Sequence, residues 1–386
     1  GAPLMSIRMG AGKTEEARRI LSNSFLMLCI CSVVLTGVAF ALREPMLLAF
    51  GASSVTFPYA EEYFTVYLTG TVFNLLSLGM NQFIICQGFA KKGMISVMLG
   101  AVVNIVLDPV FMFVLDMGVM GAAVATVISQ LCSCVYVLRF LFSKKVPIPI
   151  SFGGYRPRLM GRILLTGMTP FLIIAVDNVM IIAMNAVLQR YGGAELGDAL
   201  ITCATIVQSY LLLITMPMGG LTLGTQPVIS FNYGAARADR IRQAMKSIVG
   251  LCLAFCVGMT LVTHTLSPYF VRLFTQSPEL IERSVRYIKM FTAMIIPLAV
   301  QYPLVDETTA LGQVRLALFC SLFRKSVFLA GLLLLPALFS AEATFLSEPI
   351  ADAVAASVTT CLFLRIIPKV LERRVREAGA DPAPRP

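Results

Sequence analysis

Apolar residues in this chain arrive in long unbroken runs, separated by short stretches that carry nearly all of the charge. The runs cover 23–41, 63–87, 95–115, 118–142, 160–188, 201–229, 247–265, 287–311, 316–339 and 349–367, each 19 to 29 residues long. A helix needs about 20 apolar residues to cross a bilayer. Extended chain cannot cross lipid without leaving backbone groups unpaired, and the runs do not alternate as barrel strands do. The pattern therefore predicts an all-α integral membrane protein with ten spans.

Composition agrees. Hydrophobic residues make up 57% of the 386 and charged ones 13%, with mean hydropathy +0.82. A soluble chain has about 45–50% and about 25%. The net charge of +10 resolves once the connections are assigned alternately to the two sides. With the segment before residue 23 inside, 25 of the 31 Lys and Arg fall inside and six outside. Arg324 and Lys325 are the least secure of these, since they fall inside the predicted run 316–339; without them the bias is 23 to six. This asymmetry predicts a multi-pass protein of the plasma membrane with a cytoplasmic C-terminus. It also accounts for the positive charge without nucleic acid.

The chain repeats itself at an offset of 224 residues. GAPLMSIRMGAGKTEEARR then falls on TQPVISFNYGAARADRIRQ, matching Pro3 with Pro227, Ser6 with Ser230, Gly10 with Gly234 and Arg18 with Arg242. The same offset pairs Val33 with Val257, Phe50 with Phe274, Tyr63 with Tyr287 and Gly88 with Gly312. Six predicted spans lie within one period, so both copies face the same way, a parallel repeat of the kind found in secondary transporters. The expected division is an N-terminal lobe at 1–142, a basic Pro- and Gly-rich linker at 143–158, a C-terminal six-helix lobe at 159–371 and a cytoplasmic tail at 372–386. The second copy begins near Met160, so the repeat predicts a twelve-helix protein with about 65 residues before Gly1, of which ten spans are present.

Enzyme chemistry has little material here. There is one His, no metal-ligand spacing, no phosphate-cradling Gly loop and no nucleophile elbow. The ten Cys lie almost entirely within apolar runs, as small packing residues. No cofactor is expected. The chemistry that stands out is acid inside predicted spans: Asp108, Asp177, Asp306, Glu307 and Asp352. Each would cost about 2.5–3.5 kcal/mol at a helix centre, so such groups face a bundle interior or a water cavity.

Asp108 is the foremost of them. In NIVLDP it lies four residues from Asn104, on one helix face, and is followed by Pro109, which frees a carbonyl one turn back. A carboxylate, an amide oxygen and a free carbonyl could hold Na⁺, and the acid alone could bind H⁺. A buried Asp that holds a Pro kink fits the same pattern equally well. Asp177 and Asn178 form a mid-span polar pair expected to face a cavity. Asp306 and Glu307 point about 100° apart, so one is expected to line a cavity and the other to pair or lie close to the outer end. Asp352 is expected to be interfacial. By helix position alone, Phe73, Met80, Met184 and Met216 are candidates for a cavity that takes lipophilic cations.

These stretches together resemble the multidrug and toxic compound extrusion (MATE) transporters. The resemblance is carried by GAPLMSIRMGAGK, CQGFAKKG, NIVLDPVFMFVLDMGVMGAAVATVISQ, GTQPVISFNYGAARADR and SEPIADAV, spread over residues 1 to about 370. It implies a monomeric antiporter of two six-helix lobes rocking about a central cavity, exchanging lipophilic or cationic small molecules for H⁺ or Na⁺. By motif it puts the coupling ion at Asn104, Asp108 and Thr126. A further family Asp would precede Gly1. The stretch DETTALG before Gln313 departs from the aromatic and Gln that relatives carry there. The alternatives are a lipid-linked saccharide flippase of the same superfamily, against which the lack of basic residues in the N-terminal spans argues, and a non-transporting remnant.

Overall fold

The computed structural model describes residues 1–49 and 56–380; Phe50 of the repeat, Arg385 and the end of the tail at 381–386 lie outside them. The protein is helical, with no strand among the described residues. The chain forms two compact units, Gly1–Leu164 and Leu165–Pro386. Among the described residues nine helices are long and apolar enough to cross a membrane, and ten if one bent pair counts as a single span. Each of the ten apolar runs lies on one of these.

The first unit contains α1 (Ala2–Gly10), α2 (Thr14–Ala41), α3 (Arg43–Ala49), α4 (Phe57–Cys86), α5 (Ala90–Pro109) and α6 (Gly118–Leu141). Its core is a cluster on α1, α2, α4 and α6 that includes Met5, Leu21, Met80, Ile84, Val137 and Leu141. The 143–158 stretch packs into that core: Ile148 and Ile150 are buried in it. The amide of Ile148 donates to Gln87 Oε1 at 2.9 Å, and the amide of Arg156 to Asn23 Oδ1 at 2.9 Å. A Pro-rich stretch has few internal hydrogen bonds, and here its backbone groups are met by side chains of α2 and α4.

The second unit is built on α7 (Pro157–Gly193, whose first turns belong to the first unit), α8 (Leu196–Gly234), α9 (Ala238–Val271), α10 (Pro278–Phe291), α11 (Ile295–Ala310), α12 (Val314–Leu338) and α13 (Ser347–Ala380). The 188–201 connection, expected as a loop, is almost wholly helical. Gly193 makes the turn alone at φ 64°, ψ −163°, a conformation open to a residue without Cβ. The run 287–311, expected as one helix, is two helices bent by 53° at Thr292–Met294. Pro297 lies just beyond the break. It offers no N–H to the carbonyl four residues back and its ring crowds that carbonyl, so the helix restarts in a new direction.

The repeat is written in the hydrogen bonds of both units. Ser6 Oγ donates to the Cys86 carbonyl at 3.5 Å, and Ser230 Oγ, one period later, donates to the Ala310 carbonyl at 2.8 Å. The amide of Lys13 meets the Arg8 carbonyl as the amide of Arg237 meets that of Asn232, both at 2.9 Å. Gly88 and Gly312 share a positive φ, 90° and 74°. At the turn after α1, Gly12 has φ 73°, and its counterpart after α8 is Ala236 at φ 56°. An L-residue with a Cβ pays about 1–2 kcal/mol in that region. Ala236→Gly is therefore expected to stabilise the protein by about 1 kcal/mol and Gly12→Ala to destabilise it by a similar amount. Thermal unfolding in detergent checks this; a midpoint unmoved by either change would contradict it.

Candidate functional site

The polar cluster of the first unit is assembled by a helix defect. α5 ends at Pro109, and residues Val110–Val114 continue as one π-helical turn, with the Leu115 amide on the Val110 carbonyl at 2.9 Å. Such turns open the hydrogen-bond ladder and are frequent at functional sites. α6 then returns along α5 at close range. A Cβ on Gly121 would stand 2.7 Å from the Phe111 carbonyl carbon, so only Gly allows this approach. The return brings Thr126 to Asn104. Asn104 Nδ2 donates to Asp108 Oδ1 at 3.1 Å and lies 3.4 Å from Thr126 Oγ1, which donates to the Ala122 carbonyl at 2.9 Å. All three side chains are partly buried. Among the described residues no base lies within 4.0 Å of Asp108.

The second unit holds a cavity of about 540 Å³. Its wall is apolar at Met180, Met184, Leu212, Phe291 and Phe328, and charged at Asp177, Arg324, Lys325 and Glu348. Arg324 and Lys325 lie midway along α12, inside a span, which corrects their assignment to a connection. Glu348 and Asp352 are one turn apart on α13 and share a face. Arg324 Nη1 donates to Glu348 Oε1 at 2.7 Å and to Asp352 Oδ1 at 2.8 Å, while Lys325 pairs with Asp177. Asp352, expected near a helix end, lies in the second turn of α13 and is fully buried.

Asp306 and Glu307 both sit within two turns of Gly312, near the C-terminal end of α11. Asp306 Oδ2 accepts from Thr222 Oγ1 at 2.5 Å. Glu307 is 1% exposed, and neither of its carboxyl oxygens has a hydrogen-bond partner. Neither acid lines the cavity. Asn178 is exposed and donates to the Ile174 carbonyl at 2.8 Å. Met184 does line the cavity, at its buried floor. Two candidates are corrected. Met80 is fully buried, since Leu76, Met80, Phe83 and Ile84 form the core stripe of α4. Met216 is 70% exposed, because the inward stripe of α8 is Tyr210, Ile214 and Met218 and a residue two positions off points the other way. Phe73 is half-buried in the first unit.

Glu348 is the cavity residue that sequence reasoning passed over. Its signal was present: SEPIADAV sets two acids four apart at the head of one apolar run, and FRKS sets two bases within the preceding run. Five charges of both signs inside neighbouring spans imply mutual pairing, because unmet they would cost roughly 12–18 kcal/mol together, as much as a whole fold is stable by.

The MatE family model matches residues 1–110 and 171–335. The multidrug export protein MepA of Staphylococcus haemolyticus is 23% identical over 362 residues, covering 92% of this chain and 78% of that protein. MepA of Staphylococcus aureus is 22% identical over 351 residues, covering 90% and 76%. Among solved structures, an outward-facing multidrug resistance MATE family transporter of the MOP superfamily aligns with a TM-score of 0.90 at 20% identity, covering 96% of this chain and 83% of that one. That likeness speaks for the fold.

The Arg324 network yields a stability prediction. Arg324→Met leaves Glu348 and Asp352 without their base and is expected to cost about 3–5 kcal/mol. The triple change Arg324→Met, Glu348→Gln, Asp352→Asn removes the charge imbalance and is expected to recover most of that loss. Unfolding of the purified variants in mixed detergent checks the pair; a triple variant no more stable than the single one would contradict mutual pairing.

Proposed function

This chain belongs to the MatE family, and from that premise we propose that it is a multidrug exporter of the plasma membrane, coupling outward movement of lipophilic or cationic small molecules to inward movement of a cation. It works as a monomer by alternating access, with its C-terminus in the cytoplasm. The matched relatives are named for multidrug export, and the basic-residue asymmetry supports the orientation.

The observation that carries the coupling step is the Asn104–Asp108–Thr126 cluster, an acid in a span met by neutral partners alone. Binding a cation there removes a charge from the span, and a coupling ion shifts a conformational equilibrium by its differential affinity for the two states. Asn104 presents its amide nitrogen to Asp108. That arrangement leaves the carboxyl free to take up H⁺ as it stands, whereas Na⁺ would need the amide oxygen turned toward it. A proton needs the carboxyl alone, and we take H⁺ as the coupling ion. In the second unit, the cavity with apolar walls at Met180, Met184, Leu212, Phe291 and Phe328 suits a lipophilic molecule. A saccharide flippase would need free bases to meet pyrophosphate, but Arg324 and Lys325 are both held by carboxylates.

Expressed in a host stripped of its own exporters, Asp108→Asn is expected to reach the membrane at the normal level and to reduce ethidium efflux to background. In inverted vesicles, an imposed pH gradient should drive ethidium transport by the unaltered protein and a Na⁺ gradient alone should not. Full drug resistance in cells carrying Asp108→Asn would overturn the assignment.

A further inference from the structure

A second cavity, of about 730 Å³, lies in the first unit, away from Asn104 and Asp108. It forms where three helices end or begin together. Arg8 comes from the last turn of α1, Glu16 and Arg19 from the start of α2, and Arg156, Arg158 and Arg162 from the start of α7 and the residue before it. Five of its wall residues are arginines and a single one is acidic. Glu16 is engaged by Arg8 at 3.2 Å and by Lys13 at 3.8 Å. Among the described residues no carboxylate lies within 4.0 Å of Arg19, Arg156 or Arg158. Like charges gathered around a concavity raise a field that draws an anion into it.

The choice of residue narrows the anion. Lysines are plentiful on this side of the chain, at Lys91, Lys92, Lys144 and Lys145, yet none lines the cavity. Arginine presents a planar fork that fits phosphate oxygens in pairs, where lysine offers a point charge. The volume lies within the range of about 300–1,000 Å³ typical of small-ligand sites.

The surroundings narrow it further. Two of the contributing helices, Thr14–Ala41 and Pro157–Gly193, are membrane spans, so the cavity lies at the level where spans emerge. Leu4, Ile20 and Leu159 give it an apolar side. Tyr155 borders it, and nearby Phe152, 75% exposed, stacks on Phe142 at 5.8 Å. Exposed aromatic rings at the end of a span mark the interfacial layer. A free phosphate would have no use for the apolar side, and a zwitterionic head group would bring its own cation into a field of arginines.

We propose that this cavity is a binding site for the phosphodiester head group of an anionic phospholipid from the surrounding bilayer, with the arginines on the phosphate and the apolar side against the glycerol and upper acyl carbons. Basic pockets between spanning helices on the cytoplasmic side are suited to such head groups. The site is independent of the transport reading above and would stand if Asp108 proved not to couple.

The test titrates the purified protein in a neutral detergent with phosphatidylglycerol, with phosphatidylcholine of the same chains, and with inorganic phosphate, reading the thermal unfolding midpoint. Phosphatidylglycerol is expected to raise the midpoint saturably, and the other two are not. Each arginine near a membrane surface is worth about fivefold in affinity, so Arg19→Gln with Arg158→Gln should weaken the apparent affinity by roughly 25-fold. Lys144→Gln with Lys145→Gln, an equal charge change outside the cavity, should leave it unaltered. Where the double variant does not fold, Arg158→Gln alone, at an exposed position in the first turn of α7, should lose about fivefold in the same titration. An equal response to phosphatidylcholine, an equal response to inorganic phosphate, or undiminished phosphatidylglycerol affinity in the folded variant would each overturn the proposal.

Discussion

A charge inside a bilayer must be met by an opposite charge, by hydrogen bonds or by water, and the two units of this protein satisfy that constraint in different ways. In the second unit Arg324 and Lys325 are answered by Glu348, Asp352 and Asp177, so the charges compensate one another in place. In the first unit Asp108 meets an amide and, through it, a hydroxyl, with no base within reach among the described residues. A compensated cluster is a fixed structural element. An uncompensated acid has a charge that can change; Asp306 and Glu307 of the second unit are also without a base among the described residues, so the assignment of ion coupling to the first unit rests on the Asn104 and Thr126 side chains gathered at Asp108.

The internal repeat gives this contrast its frame. Ser6 and Ser230 hold equivalent carbonyls, and the turns at Gly12 and Ala236 and at Gly88 and Gly312 share their backbone conformations. One period on from Asn104, Asp108 and Thr126 stand Phe328, Leu332 and Ile350, none of them polar. The same pair of helices nevertheless carries the charged cluster of the second unit, now at Arg324 and Lys325 on α12 and at Glu348 and Asp352 on α13. The two copies have kept their backbone geometry and diverged in which turn of these helices carries polar groups, and so in what those groups can do.

Much of the fold is legible in the amino-acid sequence, and the parts that are not have identifiable causes. Apolar runs specify spans because lipid leaves the backbone no alternative to a helix, and the offset of 224 exposes the repeat because turn glycines and a helix-end serine recur with it. The Asn104–Asp108 pair is legible because a spacing of four fixes a shared helix face. The pairing of Arg324 with Glu348 and Asp352 crosses from one helix to another, and sequence spacing carries no information on which faces meet. Met80 and Met216 fail as cavity residues for the same reason: a helix hydrophobic all round does not declare its inward stripe. The bend at Thr292–Met294 is hidden because apolar composition continues through it, with Pro297 its only mark.

The central claim is that Asp108 exchanges a proton against drug. Its most direct test is to add ethidium to the purified protein in weakly buffered solution and follow proton release with a pH-sensitive dye. The expected result is release that saturates with ethidium binding and disappears in Asp108→Asn while binding persists. Ethidium binding with no proton release, or release undiminished in Asp108→Asn, would contradict it.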